Sequence, residues 1–158
     1  MSQDFYLGNP NLKKVGTEIQ FTKEQIQEYL RCKEDPVYFA MNYIKIISLD
    51  EGIVPFKMWD FQQELIESFH ENRFNIAKLP RQTGKSTTCV SYLLHYILFN
   101  DNVNVGILAN KLSTARDLLG RLQLAYEQLP LWLQQGIVVY NKGSMELENG
   151  SKILAAST

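Results

Sequence analysis

The residues with the clearest chemical use stand together as Pro80-Arg81-Gln82-Thr83-Gly84-Lys85-Ser86-Thr87. A triphosphate must be met by several N–H donors at fixed positions and by a cation. A curled backbone turn supplies such donors, and the first turn of a following helix adds free N–H groups and the positive end of its dipole. Here Gly84 permits close backbone approach, Lys85 can reach the β- and γ-phosphates, and the Ser86 hydroxyl can take a position on Mg²⁺. Thr87 offers a weaker hydrogen bond on the α-phosphate side. The usual phosphate-loop pattern has a first glycine where this chain has Leu79. Arg81 could stabilise charge on the γ-phosphoryl group during its transfer, or it could pair with a neighbouring carboxylate; spacing leaves both open. Gln62 carries a donor and an acceptor suited to an adenine edge, and a solvent-facing side chain is the alternative.

Ahead of these residues, Phe74–Leu79 is a short apolar run that predicts a strand leading into the loop. A helix is expected from Lys85 to Phe99, then a turn at Asn100-Asp101-Asn102, a second strand over Val103–Ala109 and a helix from about Thr114 to Gln128 capped by Ser113. Strand, helix, strand, helix implies a parallel sheet covered by helices. Upstream, Thr22 and Gln25 form a capping box, with Phe21 and Ile26 placed as a hydrophobic staple. That helix runs to about Lys33. Asp35-Pro36 starts a second helix whose stripe is Phe39, Tyr43 and Ile46, broken at Asp50-Glu51-Gly52. Ile53–Phe56 is extended, and a third helix covers Asp60 to Asn72. Downstream, Pro130–Gln134 is a helical turn and Ile137–Tyr140 a strand. Met145–Glu148 and Lys152–Ala156 flank Asn149-Gly150, a dipeptide that favours a type I′ hairpin. Residues 1–20 read as an extended arm with a turn at Gly8-Asn9-Pro10.

A chain of 158 residues, 45% apolar and 11% aromatic, suits one domain with a sizeable core. Its net charge of −1 gives no overall basic field for nucleic acid. Lys111, Arg116, Arg121 and Lys142 are dispersed and read as solvated. Cys32 and Cys89 have no metal or redox spacing and read as reduced thiols. His70 and His95 read as helix-face or core residues, and Trp59 and Trp132 as packing residues. No apolar run approaches the ~18 residues of a membrane span, and the N-terminal residues lack signal-peptide character; a cytoplasmic protein is expected. No apolar run after the loop ends in adjacent carboxylates, the arrangement that would hold the Mg²⁺ shell and activate water.

Pro80-Arg81-Gln82-Thr83-Gly84-Lys85-Ser86 resembles the deviant Walker A motif of phage large terminase subunits, the T4-type DNA-packaging motors, which carry Arg-Gln ahead of x-Gly-Lys-[Ser/Thr]. Asp60-Phe61-Gln62 is similar to that family's adenine-recognising segment. Val105–Lys111, Leu129-Pro130 through Gly136–Val138, and Asn141–Ser151 also resemble it, so the likeness covers about residues 20–158. It implies an α/β fold of the additional-strand P-loop ATPase type that binds ATP and Mg²⁺. Arg81 would be the cis arginine, Lys85 and Ser86 would hold phosphate and Mg²⁺, Gln62 would contact adenine, and Gln82, Thr83, Gly84 and Thr87 would complete the nucleotide site. The full-length protein would hydrolyse ATP to drive double-stranded DNA into a procapsid and cut the concatemer with a C-terminal nuclease. Its partners would be the portal protein and a small terminase subunit, in the host cytoplasm and transiently at the portal. Walker B, the catalytic glutamate, the coupling motif and the nuclease would follow residue 158. Residues 21–158 thus read as the N-terminal part of an ATPase domain, incomplete, with an N-terminal helical segment and a C-terminal β-hairpin. The chain alone is expected to be inactive, and a complementing chain could carry the remainder. Two other readings stand beside this one: a fragment of a helicase-like P-loop ATPase, and a non-catalytic interaction module that holds nucleotide as a structural ligand.

Overall fold

A computed structural model describes residues 4–158. Three helices come first, α1 (Lys23–Glu34), α2 (Pro36–Tyr43) and α3 (Asp60–Glu71), with the hairpin β1 (Lys45–Ser48) and β2 (Gly52–Pro55) between the last two. Then follow α4 (Lys85–Phe99), β3 (Asn104–Ala109), α5 (Leu112–Glu127), β4 (Ile137–Tyr140), β5 (Ser144–Leu147) and β6 (Lys152–Ser157). The chain is α/β, and its main sheet is mixed. The strand order is β3-β6-β5-β4, with β3 parallel to β6 and the other two pairs antiparallel.

Local rules account for the helix starts. The Thr22 Oγ1 accepts from the Gln25 N–H and the Gln25 side chain accepts from the Thr22 N–H, so α1 opens on a complete capping box. Asp35 caps α2 through the Tyr38 N–H, with Pro36 at the first helical position. The helix α5 begins instead at Leu112, with Lys111 at the cap and no side-chain cap bond, so Ser113 lies inside the helix and does not cap it.

The core forms where α5 covers one face of the sheet and α4 lies against α5. Leu94, Ile97 and Leu98 of α4 meet Leu119, Leu122 and Tyr126 of α5, and Ile107, Met145, Leu147 and Ile153 rise from the strands. The Tyr126 hydroxyl donates to the Gln135 carbonyl, so the largest buried side chain keeps its polar atom paired. The other flank of α4 packs on α2 and α3. That is why α4 buries residues around most of its circumference.

Five further expectations need correction. Phe74–Leu79 forms no strand. It runs without a ladder partner, with Phe74 83% and Ile76 100% exposed; an apolar run becomes a strand only when a neighbour takes its backbone groups. The sheet is not the parallel one expected: only β3 and β6 run parallel, and helices leave one face open, where Leu108 and Leu154 stand exposed opposite the α5 side. Ile46 belongs to a strand and not to a helical stripe. The helix α2 ends at Tyr43, and the β-branched run after it pairs with β2, registering Ile46 on Val54. The turn at Asn149-Gly150 is not type I′. Gly150 has φ +82° but Asn149 is not left-handed, and the Gly150 N–H donates to the Leu147 carbonyl. This is the longer hairpin loop closed by a glycine bulge. Finally, the first residues are not a plain extended arm. Tyr6–Gly8 is a 3-10 turn, Leu12 is buried, and the Lys13 carbonyl accepts from the Ile137 N–H beside β4. Of the arm, residues 1–3 lie outside the described residues.

The end of α4 is closed by the β5–β6 turn. The Asn149 amide donates to the carbonyls of Ile97 and Asn100, and the Ser151 hydroxyl donates to the Asn100 carbonyl. These bonds satisfy carbonyls that a helix leaves open at its C-terminus.

Candidate functional site

The loop Pro80–Gly84 turns straight into α4. Two of its residues are left-handed, Gln82 at φ +61° and Gly84 at φ +72°. Alternation of this kind points successive N–H groups toward one side and makes an anion-binding concavity. Gly84 is the N-cap of α4, and the first hydrogen bond of the helix runs from the Thr88 N–H to the Gly84 carbonyl at 2.9 Å. The N–H groups ahead of it in the first turn have no intrahelical acceptor. Lys85 and Ser86 thus stand where donors, dipole and cation coincide.

Side chains hold the loop in this form. The Thr83 hydroxyl donates to the Pro80 carbonyl at 3.0 Å. The Lys85 ammonium donates to the carbonyls of Leu79 and Pro80 at 3.1 and 3.3 Å, folding back over the loop entrance. The Thr88 hydroxyl is spent on the Gly84 carbonyl, leaving Ser86 and Thr87 as the half-buried hydroxyls nearest the loop. Arg81 is exposed and forms no ion pair among the described residues, so the alternative of a carboxylate-bound arginine is not realised.

A cleft of about 340 Å³ adjoins the loop, between α3, β1 and α4. It is lined by Phe56, Trp59, Phe61 and Gln62 on one side and by Gln82, Thr83, Gly84 and Thr87 on the other. Trp59 is 71% exposed and stands in a T-shaped arrangement with Phe61, at 6.2 Å between ring centroids; it is not the packing residue expected from sequence. Trp132, in contrast, does pack, edge-on to Tyr43. Gln62 is buried. Its carbonyl oxygen accepts from the Trp59 N–H and its amide donates to the Thr83 carbonyl, each at 3.0 Å.

All eight predicted site residues therefore fall in one place: Gln62 from the start of α3, Arg81 to Gly84 from the loop, and Lys85 to Thr87 from the first turn of α4. The structure adds Trp59, Phe61 and Phe56 to the lining. Alternating aromatics around Gln62 were visible in Phe56-Lys57-Met58-Trp59-Asp60-Phe61, but nothing local places them beside the loop. Both cysteines are free, and burial pushes the Cys32 thiol up to about 12. No helix is long and apolar enough to cross a membrane. No protein-family model matches the chain.

Proposed function

We propose that this chain is the nucleotide-binding part of a P-loop ATPase of the phage large-terminase type, and that its ligand is ATP with Mg²⁺. One observation carries the reading: a curled loop ends in a left-handed Gly84 at the N-terminus of a 15-residue helix, with Lys85 and Ser86 as its first residues. The residues fit a polyphosphate. The first-turn N–H groups of α4 are unclaimed by the helix, and the loop curls without a bulky side chain at Gly84. ATP supplies a terminal phosphoryl group whose transfer to water drives movement of the motor. Within this chain, backbone N–H groups of the loop and first turn donate to phosphate oxygens. Lys85 exchanges its two carbonyl partners for phosphate, Ser86 offers its hydroxyl to the metal, and Arg81 brings a free cation from the loop itself.

In the same reading the whole protein packages double-stranded DNA, working with a portal protein and a small terminase subunit in the host cytoplasm. Further strands, from this protein or from a complementing chain, pair with the open segment Phe74–Leu79. The exposed apolar side chains of that segment support this.

Titration calorimetry with ATP, with and without Mg²⁺, tests the ligand. Wild-type chain is expected to bind more tightly with the metal, and Lys85→Ala to bind more weakly while keeping its melting temperature. Equal binding by wild type and Lys85→Ala would remove the reading.

A further inference from the structure

Gln62 is assigned by resemblance to the adenine base. The geometry points to another role, and we infer that Gln62 is a positioning residue that pins the phosphate loop. The inference rests on the nucleotide reading above and deepens it. Recognition of an adenine edge by an amide takes a donor and an acceptor together. Here the carbonyl oxygen is held by the Trp59 N–H and the residue is only 5% exposed. The amide nitrogen donates to the Thr83 carbonyl, inside the loop and 21 residues along the chain.

Two features show that the loop is built round this contact. A Cβ on residue 84 would lie 2.6 Å from the Gln62 Nε2, so only glycine leaves the amide its place. Gly84 is thus fixed twice, by its left-handed backbone and by Gln62. The peptide that Gln62 grips is the one joining Thr83 to Gly84, so the bond sets the direction of the Gly84 N–H. That N–H belongs to the donor set which meets the anion. The anchor at the other end is rigid, because the Gln62 carbonyl closes the start of α3. Gln62 transmits the position of α3 to the loop and need not touch the ligand.

The test compares ATP with inorganic tripolyphosphate, which has no base. Affinities are measured by calorimetry on the full chain for wild type, Gln62→Met and Gln62→Ala, well below each melting temperature. Gln25→Ala, which removes a capping-box side chain on α1, serves as the control for lost stability alone. A pin predicts that both Gln62 variants lose affinity for ATP and for tripolyphosphate by the same factor, about tenfold, the size of one net hydrogen bond. Gln25→Ala is expected to leave both affinities unchanged. Loss confined to ATP would make Gln62 a base reader and overturn the inference, as would unchanged affinity for both ligands. Wild-type chain that binds ATP but not tripolyphosphate would also overturn it. Wild-type chain that binds neither fails the nucleotide reading itself, and the pin with it.

Discussion

Two apolar runs of similar length precede helices in this chain, Phe74–Leu79 before α4 and Val103–Ala109 before α5. Both read as strands. The second forms one, because Lys152–Ser157 lies alongside and pairs with it residue for residue, Asn104 on Lys152 through Ala109 on Ser157. The first has no such neighbour and forms no regular element, with Ile76 fully in solvent. The difference teaches that strand formation belongs to the pair and not to the run. It also divides the molecule. One region, around α4, α5 and β3–β6, is closely packed. The other, from the end of α3 through the loop, is held by a few side-chain bonds.

Core truncation should separate the two regions most widely. Leu119→Ala removes a fully buried side chain and is expected to cost about 2–5 kcal/mol. Ile76→Ala should change stability by less than about 0.5 kcal/mol. Denaturant melts of both variants check this, and a costly Ile76→Ala would end the comparison.

Acid provides the next effect, and it too acts on the packed region. His95 is buried among Phe39, Tyr92 and Phe99, with His70 nearby on α3. Its Nε2 bonds the Cys32 carbonyl at 2.8 Å while Nδ1 has no partner among the described residues. Burial drives its pKa down from 6.5 to about 4. Between those values the unfolded chain binds a proton that the folded chain does not. Stability should therefore fall as pH drops from about 6.5 to about 4, by roughly 3 kcal/mol. His95→Phe should flatten that slope, as read from melts at pH 7, 5.5 and 4.5.

On the loop side, Lys85→Ala should weaken ATP binding by roughly 1.5–3 kcal/mol, the range for hydrogen bonds to a charged group. Its melting temperature should barely move, since the Lys85 partners are loop carbonyls. Hydrogen exchange sharpens the comparison by position. Amides of β6, bonded on both sides by β3 and β5, should be protected to near the global limit, while those of residues 74–78 should exchange almost freely. Protection appearing at 74–78 on adding a candidate complementing chain would identify its strand partner.

What the sequence disclosed followed the reach of each rule. Thr22 and Gln25 lie three residues apart, and the capping box they announce is present. The extent of α4, Lys85–Phe99, was legible because an apolar helix bounded by a glycine and an asparagine carries its own limits. Ile46 was misplaced because its 3.6-residue spacing from Phe39 and Tyr43 fits a helix as well as chance allows, and pairing with Val54 decides otherwise. The site residues themselves were legible as a motif. Their support was not: the bond from Gln62 to Thr83 spans two elements and leaves no trace in local spacing.

The capped end of α4 has a mechanical consequence. A helix of 15 residues is a strut about 22 Å long and stiff along its axis. Its carboxyl end is seated on Asn149 and Ser151 of the β5–β6 turn, and its amino end carries the Pro80–Gly84 loop. A thrust applied at the loop is therefore not absorbed there. It travels down the strut and is borne by the sheet, which makes the β5–β6 turn the footing against which this end of the molecule can push.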